Sequence, residues 1–191
     1  MRRPRADGIA ELRLGPRRAA PPSSREPTFA FEPHHCFACG ELNEHGLHLE
    51  LHTSTEGSWA ELTLEPRFQG WDAVAHGGIV CTLLDEVMAW SVIGRGTWGV
   101  TARLNVAFRR PITTGRPIRA EGWVVEMHRR ASRTAGRVLD ATTGEVLATS
   151  EGTFIALPSE QVERLKARYG LRRTAADGAT GSSTPGVGAS R

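Results

Sequence analysis

The sequence predicts an α+β domain in which one curved antiparallel sheet wraps around a single long, apolar helix. Residues 78–93 form a continuous apolar segment of helical length that is followed by two glycines, Gly94 and Gly96. Residues 100–108 then alternate strictly between apolar and polar side chains, which is the pattern of a half-buried strand. Because a helix that is apolar nearly all round must be covered on most sides, the strands are expected to form one sheet around it.

Further segments complete a predicted element order of β-β-α-β-β-β-β, followed by a short helix. Before the long helix, residues 46–53 and 58–65 alternate in hydropathy and are expected to pair, and the Gly- and Pro-containing segment PRFQGWDAVAHGG then forms a loop. Three more strands are predicted after residue 108, at residues 117–128, 132–141 and 145–157. The segment SEQVERLKARYG predicts a surface helix with Ser159 as its N-cap and Gly170 as its end.

Composition divides the chain into one domain and two flanking segments. Residues 1–27 are rich in Arg and Pro, and residues 171–191 are rich in Gly, Ser, Thr and Ala, so both are expected to be disordered around a domain at residues 28–170. Residues 28–157 contain eleven arginines and fifteen acidic residues, a net charge of −4, which argues against nucleic-acid binding. The three cysteines form no even framework, and no secretory signal or membrane-spanning run is found. We expect a cytoplasmic protein without a membrane partner.

The motif HGG at the start of the predicted helix is suited to binding a carbonyl oxygen. Gly77 and Gly78 have no side chains, so the N–H groups of the first turn, which lack intrahelical partners, can approach a ligand closely. The helix dipole adds positive potential at the same place. We therefore predict an oxyanion hole at these two glycines, with His76 orienting the turn.

Asp85 is the predicted catalytic carboxylate. It lies seven residues after Gly78, which is roughly 10 Å along a straight helix. A single chain therefore cannot bring its own Asp85 to a carbonyl bound at its own helix start, but two antiparallel helices across a two-fold axis can. Unpaired sheet edges favour the same association. We expect a homodimer with shared active sites, and a dimer of dimers is compatible with this arrangement.

Helical periodicity selects two further candidates near Asp85. Thr82 is the strong hydrogen-bonding residue on the same face. Glu86 points about a quarter-turn away and is an auxiliary candidate for substrate binding. An exposed helix strip or a buried ion pair would also explain the two acids, but the HGG context favours catalysis.

The segment HHCFACGELNEHGLH offers possible metal ligands. Cys36 and Cys39 form a Cys-x-x-Cys pair, and His45 and His48 follow closely. A Cys₂His₂ zinc site is chemically possible, but the spacing C-x2-C-x5-H-x2-H is shorter than that of the usual zinc finger. The default expectation is a structural turn before the first strand. We predict no metal and no cofactor.

Four segments together resemble the PaaI-type branch of the hotdog-fold acyl-CoA thioesterases: HCFACGELNEHGL, FQGWDAVA, HGGIVCTLLDEVMAW and TARLNVAFRRPI. The similarity extends over about residues 34–157, and the element order is also the family's. The resemblance implies a hotdog fold and hydrolysis of an acyl-CoA thioester. It further implies that Asp85 activates water or attacks directly, and that the Gly78 amide of the partner chain polarises the thioester carbonyl.

The resemblance also implies roles for residues outside the helix. A hydroxyl residue at the place of Thr101 often helps to hold the water. Several relatives carry Asn or Gln six residues before the histidine, where this chain has Gly70, so the adjacent Gln69 is the candidate substitute. Coenzyme A carries phosphates, which makes the nearby arginines candidates for substrate binding. The candidates are Arg103, Arg109, Arg110, Arg129, Arg130 and Arg133, of which Arg109, Arg110, Arg130 and Arg133 are selected.

Two other functions remain open at this stage. A non-catalytic hotdog protein that binds acyl-CoA as a sensor or scaffold would favour a recognisable partner-binding module, and the Arg-rich leader shows no helix-turn-helix pattern. A hotdog hydratase would carry an Asp and His set in a different loop. The sequence does not predict acyl specificity, because Trp71, Trp90 and Trp98 suit a pocket and a core equally well.

Overall fold

The computed structural model describes residues 28–170 and 172–174. The predicted leader and nearly all of the predicted tail lie outside these residues. In chain order the elements are β1 (Thr28–Ala30), β2 (His52–Thr53), β3 (Ser58–Thr63), a 3₁₀ turn (Pro66–Phe68), β4 (Gln69–Trp71), β5 (Val74–Ala75), α1 (Gly77–Gly94), β6 (Gly99–Phe108), β7 (Pro117–Met127), β8 (Ala131–Asp140), β9 (Val146–Ala156), α2 (Ser159–Tyr169) and β10 (Arg172–Thr174).

Six strands form one antiparallel sheet in the order β2-β3-β7-β8-β9-β6. The strands at 99–108, 117–127, 131–140 and 146–156 agree with the predicted ones to within one residue at every end. The β8–β9 connection turns at Gly144, whose φ of 75° requires the left-handed region that glycine adopts easily. Strand β6 lies at an edge of the sheet, so one side of its backbone is unpaired within the described chain.

Helix α1 forms the centre of the core, as predicted. Leu83, Leu84, Val87 and Met88 are fully buried against the sheet. The helix backbone approaches β7 so closely that a Cβ added at Gly122 would lie 2.5 Å from the Val87 carbonyl. Contrary to the expectation of no membrane-spanning run, α1 is long and apolar enough to cross a membrane, with a mean hydropathy of 1.4, but the core helix of a globular domain passes the same test.

The first predicted strand is wrong over most of its length, because only His52–Thr53 of residues 46–53 forms a strand. The N–H groups of Leu47 and Leu49 bond to the carbonyls of Phe37 and Ala38 instead of to a neighbouring strand. His48 between them has a φ of 48°, which breaks the extended conformation. The segment is therefore anchored on the cysteine-containing turn, while its leucines still face the core.

Two smaller expectations also need correction. The predicted loop before α1 contains the short hairpin β4–β5. Helix α2 has Pro158 as its N-cap, with no capping side chain, so Ser159 is its first residue and not its cap, whereas Gly170 ends it with a φ of 54° as expected. Beyond the predicted end of the domain at residue 170, Arg172–Thr174 pairs with β1, and the boundary itself stays a prediction.

Candidate active site

The start of α1 carries the predicted carbonyl-binding glycines. His76 is the N-cap, and its ring Nδ1 accepts a hydrogen bond from the Gly78 N–H at 3.0 Å. The His76 carbonyl accepts from Ile79 and Val80. The His76 ring thus caps the first turn and occupies the Gly78 N–H that was predicted to bind a carbonyl oxygen.

The second half of the site is a hydrogen-bonded pair at the middle of α1. The Thr101 hydroxyl donates to Asp85 Oδ1 at 2.7 Å. Burial raises the pKa of Asp85, and the Thr101 hydrogen bond acts in the opposite direction because it stabilises the charged form. The β6–β9 register shifts between Thr101 and Arg103, so a bulge re-aims the strand next to Asp85.

The two halves lie at opposite ends of β6. A Cβ on Gly77 would contact the Phe108 ring at 3.4 Å, which places the start of α1 beside the end of β6. The Asp85–Thr101 pair lies near the start of that strand. Seven positions separate Thr101 from Phe108, roughly 23 Å along an extended strand. Within one chain the Asp85 carboxylate and the two glycines thus lie apart, as two candidate half-sites.

Residues 73–147 match the family model described as the thioesterase superfamily. A thioesterase superfamily protein of known crystal structure is similar with a TM-score of 0.60 and 29% identity over 63% of this chain, which spans 60% of that protein's chain. The chain has the hotdog fold of the thioesterase superfamily. The predicted hotdog fold is confirmed, and so is the resemblance to hotdog-fold thioesterases. No curated protein sequence matches the chain.

Two further hotdog structures show the same fold at lower identity. A hypothetical thioesterase from Streptococcus pneumoniae TIGR4, solved with coenzyme A, has a TM-score of 0.54 and 17% identity over 56% of this chain and 84% of its own. The PaaI protein of the E. coli phenylacetic acid degradation operon has a TM-score of 0.53 and 18% identity over 57% of this chain and 83% of its own. At these identities the similarity concerns the fold alone.

Three predicted site residues on or near α1 form hydrogen bonds with residues close to them in the chain. The Thr82 hydroxyl donates to the Gly78 carbonyl at 3.0 Å. Gln69 Oε1 accepts from the Ala73 N–H at 3.2 Å and so closes the β4–β5 turn. Glu86 Oε1 accepts from Trp90 Nε1 at 3.0 Å, which directs this carboxylate toward the core and not toward Thr101.

The predicted phosphate-binding arginines fall into two groups. Arg109 and Arg110 follow β6 at its Phe108 end, where both N–H groups donate to the Leu147 carbonyl. Arg130 lies at the opposite end, where its carbonyl accepts from Ala156, and Arg133 is two residues into β8. Two of the four form exposed ion pairs, Arg110 with Glu145 and Arg133 with Glu126. One chain therefore does not gather all four at one place.

A second polar cluster, which the sequence spacing did not reveal, lies where the cysteine-containing turn meets α1. It contains Cys36, Cys39 and Glu86, whose ligand atoms all lie within 4.8 Å of one another. The neighbouring Cys39 thiol lowers the pKa of Cys36 to about 5, while burial raises the pKa of Glu86 to about 7. The third cysteine, Cys81, lies on the Asp85 side of the helix, and burial raises the pKa of its thiol.

Proposed function

We propose that the protein hydrolyses an acyl-CoA thioester to a free acid and coenzyme A. The observation that carries this proposal is the Asp85–Thr101 pair, a half-buried carboxylate held by a hydroxyl at 2.7 Å on the central helix of a thioesterase superfamily fold. A carboxylate with a raised pKa is a suitable general base near neutral pH. The coenzyme A bound in the S. pneumoniae structure supports the substrate class.

The complete site is proposed to form in a homodimer through strand β6. Its outer edge is unpaired in the described chain, and the apolar side chains of Val100 and Phe108 at its two ends are 53% and 55% exposed. Antiparallel pairing of two β6 strands about an axis near Leu104 places Thr101 of one chain beside Phe108 of the other. Asp85 of one chain then faces Gly78 of its partner, and Arg109 and Arg110 of the partner approach Thr101.

The proposed reaction uses the two half-sites together. The thioester oxygen binds the Gly78 N–H of one chain, which requires the His76 ring to turn away from that N–H. Asp85 of the other chain removes a proton from water as the water oxygen bonds to the carbonyl carbon. The carbon–sulfur bond then breaks, and the proton passes to the coenzyme A thiolate. Direct attack by Asp85 through an acyl-enzyme anhydride remains the alternative; hydrolysis in ¹⁸O-labelled water under single turnover distinguishes the two.

The site needs no resident metal or cofactor for this chemistry, because the base and the oxyanion donor come from the chain itself. Coenzyme A and its thioesters are water-soluble, and we propose that the protein acts in the cytoplasm on such a substrate. Thr82, Gln69 and Glu86 take no part in the proposed proton transfer, since each is engaged elsewhere.

The proposal is tested by measuring thiol release from short, medium, long and aromatic acyl-CoA substrates. We expect turnover of at least one class by the full chain and a loss of about a hundredfold or more in kcat for Asp85→Asn. Glu151→Gln removes an exposed carboxylate on β9 and serves as the matched control, with unchanged activity expected. Binding of acyl-CoA without turnover by the wild-type dimer would contradict hydrolysis and support the sensor function instead.

A further inference from the structure

The turn that contains Cys36 and Cys39 is held in one tight conformation. Gly40 closes the turn by donating its N–H to the Cys36 carbonyl at 3.0 Å. A Cβ on Gly40 would lie 2.4 Å from both the Cys36 nitrogen and the His34 carbonyl, so only glycine fits. A turn fixed in this way keeps the two cysteine sulfur atoms close together, as joint binding of one metal ion requires.

Glu86 provides a third possible metal-ligand atom from a distant part of the chain. Its carboxylate accepts a hydrogen bond from the Trp90 indole and lies within 4.8 Å of the Cys36 and Cys39 sulfur atoms. Within residues 28–170 no Arg, Lys or His is ion-paired with Glu86, so this largely buried acid has no compensating positive charge there. A buried carboxylate next to two thiols is costly unless a cation neutralises it.

We propose that Cys36, Cys39 and Glu86 bind one zinc ion. With zinc–sulfur bonds of about 2.3 Å and zinc–oxygen bonds of about 2.0 Å, the donors of a tetrahedral site lie roughly 3.5–3.8 Å apart. The three atoms already lie within 4.8 Å of one another, so closure of the site requires movements of about 1 Å or less. Cys36 is exposed, which allows a water molecule to complete the coordination.

This ligand set differs from the one that the sequence spacing suggested. His45 and His48 follow the cysteines in sequence, but the described structure groups neither with them. His34 is nearer, yet its Nδ1 accepts from the Cys36 N–H at 3.2 Å and so keeps the turn closed. The zinc ion would instead join the cysteine turn to α1 at the residue after Asp85. Its role is therefore to position the helix, and the inference is independent of the proposed thioester hydrolysis.

The test uses the full chain, purified and fully reduced. We expect about one equivalent of zinc per chain after dialysis, measured by inductively coupled plasma mass spectrometry. Substitution by Co²⁺ should produce a thiolate-to-cobalt charge-transfer band in the near ultraviolet and the intense visible bands of a tetrahedral site. Cys36→Ser and Cys39→Ser should abolish the band, and Glu86→Gln should weaken Co²⁺ binding roughly tenfold or more. Cys81→Ser and His45→Ala are the matched controls and should bind as the wild type does.

Wild-type protein with free thiols that takes up no zinc and gives no charge-transfer band would overturn the proposal. Wild-type Co²⁺ affinity in Glu86→Gln would also overturn it, because Glu86 would then not be the third ligand. Loss of Co²⁺ binding in His45→Ala would overturn it as well, because the ligands would then be those that the sequence spacing suggested. The wild-type cobalt spectrum decides the thiolate part even if a cysteine variant does not fold. The proposal would also be refuted if the protein is isolated with a Cys36–Cys39 disulfide and binds no Co²⁺ after that disulfide is reduced.

Discussion

Removal of the Thr101 hydroxyl should impair both the rate of hydrolysis and its pH dependence. Thr101→Val keeps the shape of the side chain but deletes the donor that lies 2.7 Å from Asp85 Oδ1. A hydrogen bond to a charged group contributes about 1.5–3 kcal/mol, and the lower end applies because Thr101 is exposed and Asp85 is only half-buried. A loss of about 1.4 kcal/mol corresponds to a tenfold lower kcat/KM.

The direction of the pH effect follows from the two opposing influences on Asp85. Burial raises its pKa and the Thr101 hydroxyl lowers it, so the valine variant should have the higher pKa of the two proteins. Because a general base must be deprotonated, the acid limb of kcat/KM should move to higher pH in the valine variant. The deficit should therefore be largest at low pH and smaller on the alkaline plateau.

The assay is the initial rate of thiol release over a range of pH for the wild type, Thr101→Val and Thr101→Ser. The serine variant retains a hydroxyl and should keep most of the rate and the position of the acid limb. An unchanged pH profile and kcat/KM in Thr101→Val would refute the role assigned to this hydrogen bond. An equal loss in Thr101→Ser would indicate that the methyl group, not the hydroxyl, is required.

Two further predictions concern stability. Gly122→Ala should lower the free energy of unfolding by about 3 kcal/mol or more, because its Cβ would lie 2.5 Å from the Val87 backbone. Gly144→Ala, at a residue with a φ of 75° and open space around it, should lower it by only about 1 kcal/mol. Equal losses for the two variants in urea unfolding would contradict the close packing of α1 on β7. Asp85→Asn should raise the free energy of unfolding at neutral pH. Because the pKa of Asp85 is raised in the folded state, the wild type loses stability as the pH rises from the unfolded-state pKa through the folded-state pKa of this residue. Asparagine does not titrate, so the variant does not lose this stability. A variant less stable than the wild type at pH 7 would count against this reasoning.

The long helix and the late strands could be predicted because their hydropathy patterns are local. The apolar run of α1 and the strict alternation of β6 each determine an element type without reference to the rest of the chain. The failure at residues 46–51 has the opposite cause. Leucines at alternate positions suit a strand, but the N–H groups of Leu47 and Leu49 find carbonyl partners in the cysteine turn, and no periodicity encodes that choice.

The candidate site could be predicted only where the reasoning depends on spacing within one element. The separation of Gly78 from Asp85 follows from helix geometry, so the proposal of a site shared between two chains could be worked out from spacing. The proximity of Thr101 to Asp85 came only from the family resemblance, because the bulge that aims it is not visible in the sequence. The contact between Cys39 and Glu86 joins segments far apart in the chain, and neither the periodicity nor the cysteine spacing could predict it.

A mixed dimer tests most directly whether the active site is shared between two chains. Asp85→Asn and Gly78→Pro each inactivate one half-site; the proline removes the proposed donor at a first-turn position that has no intrahelical hydrogen bond. When equal amounts are refolded together, about half of the dimers combine the two variants, and each of these holds one site with an intact Asp85 and an intact Gly78. Activity should return to about a quarter of the wild-type value per chain. Activity that stays at the level of the separate variants, with mixed dimers verified by mass spectrometry, would contradict the shared site.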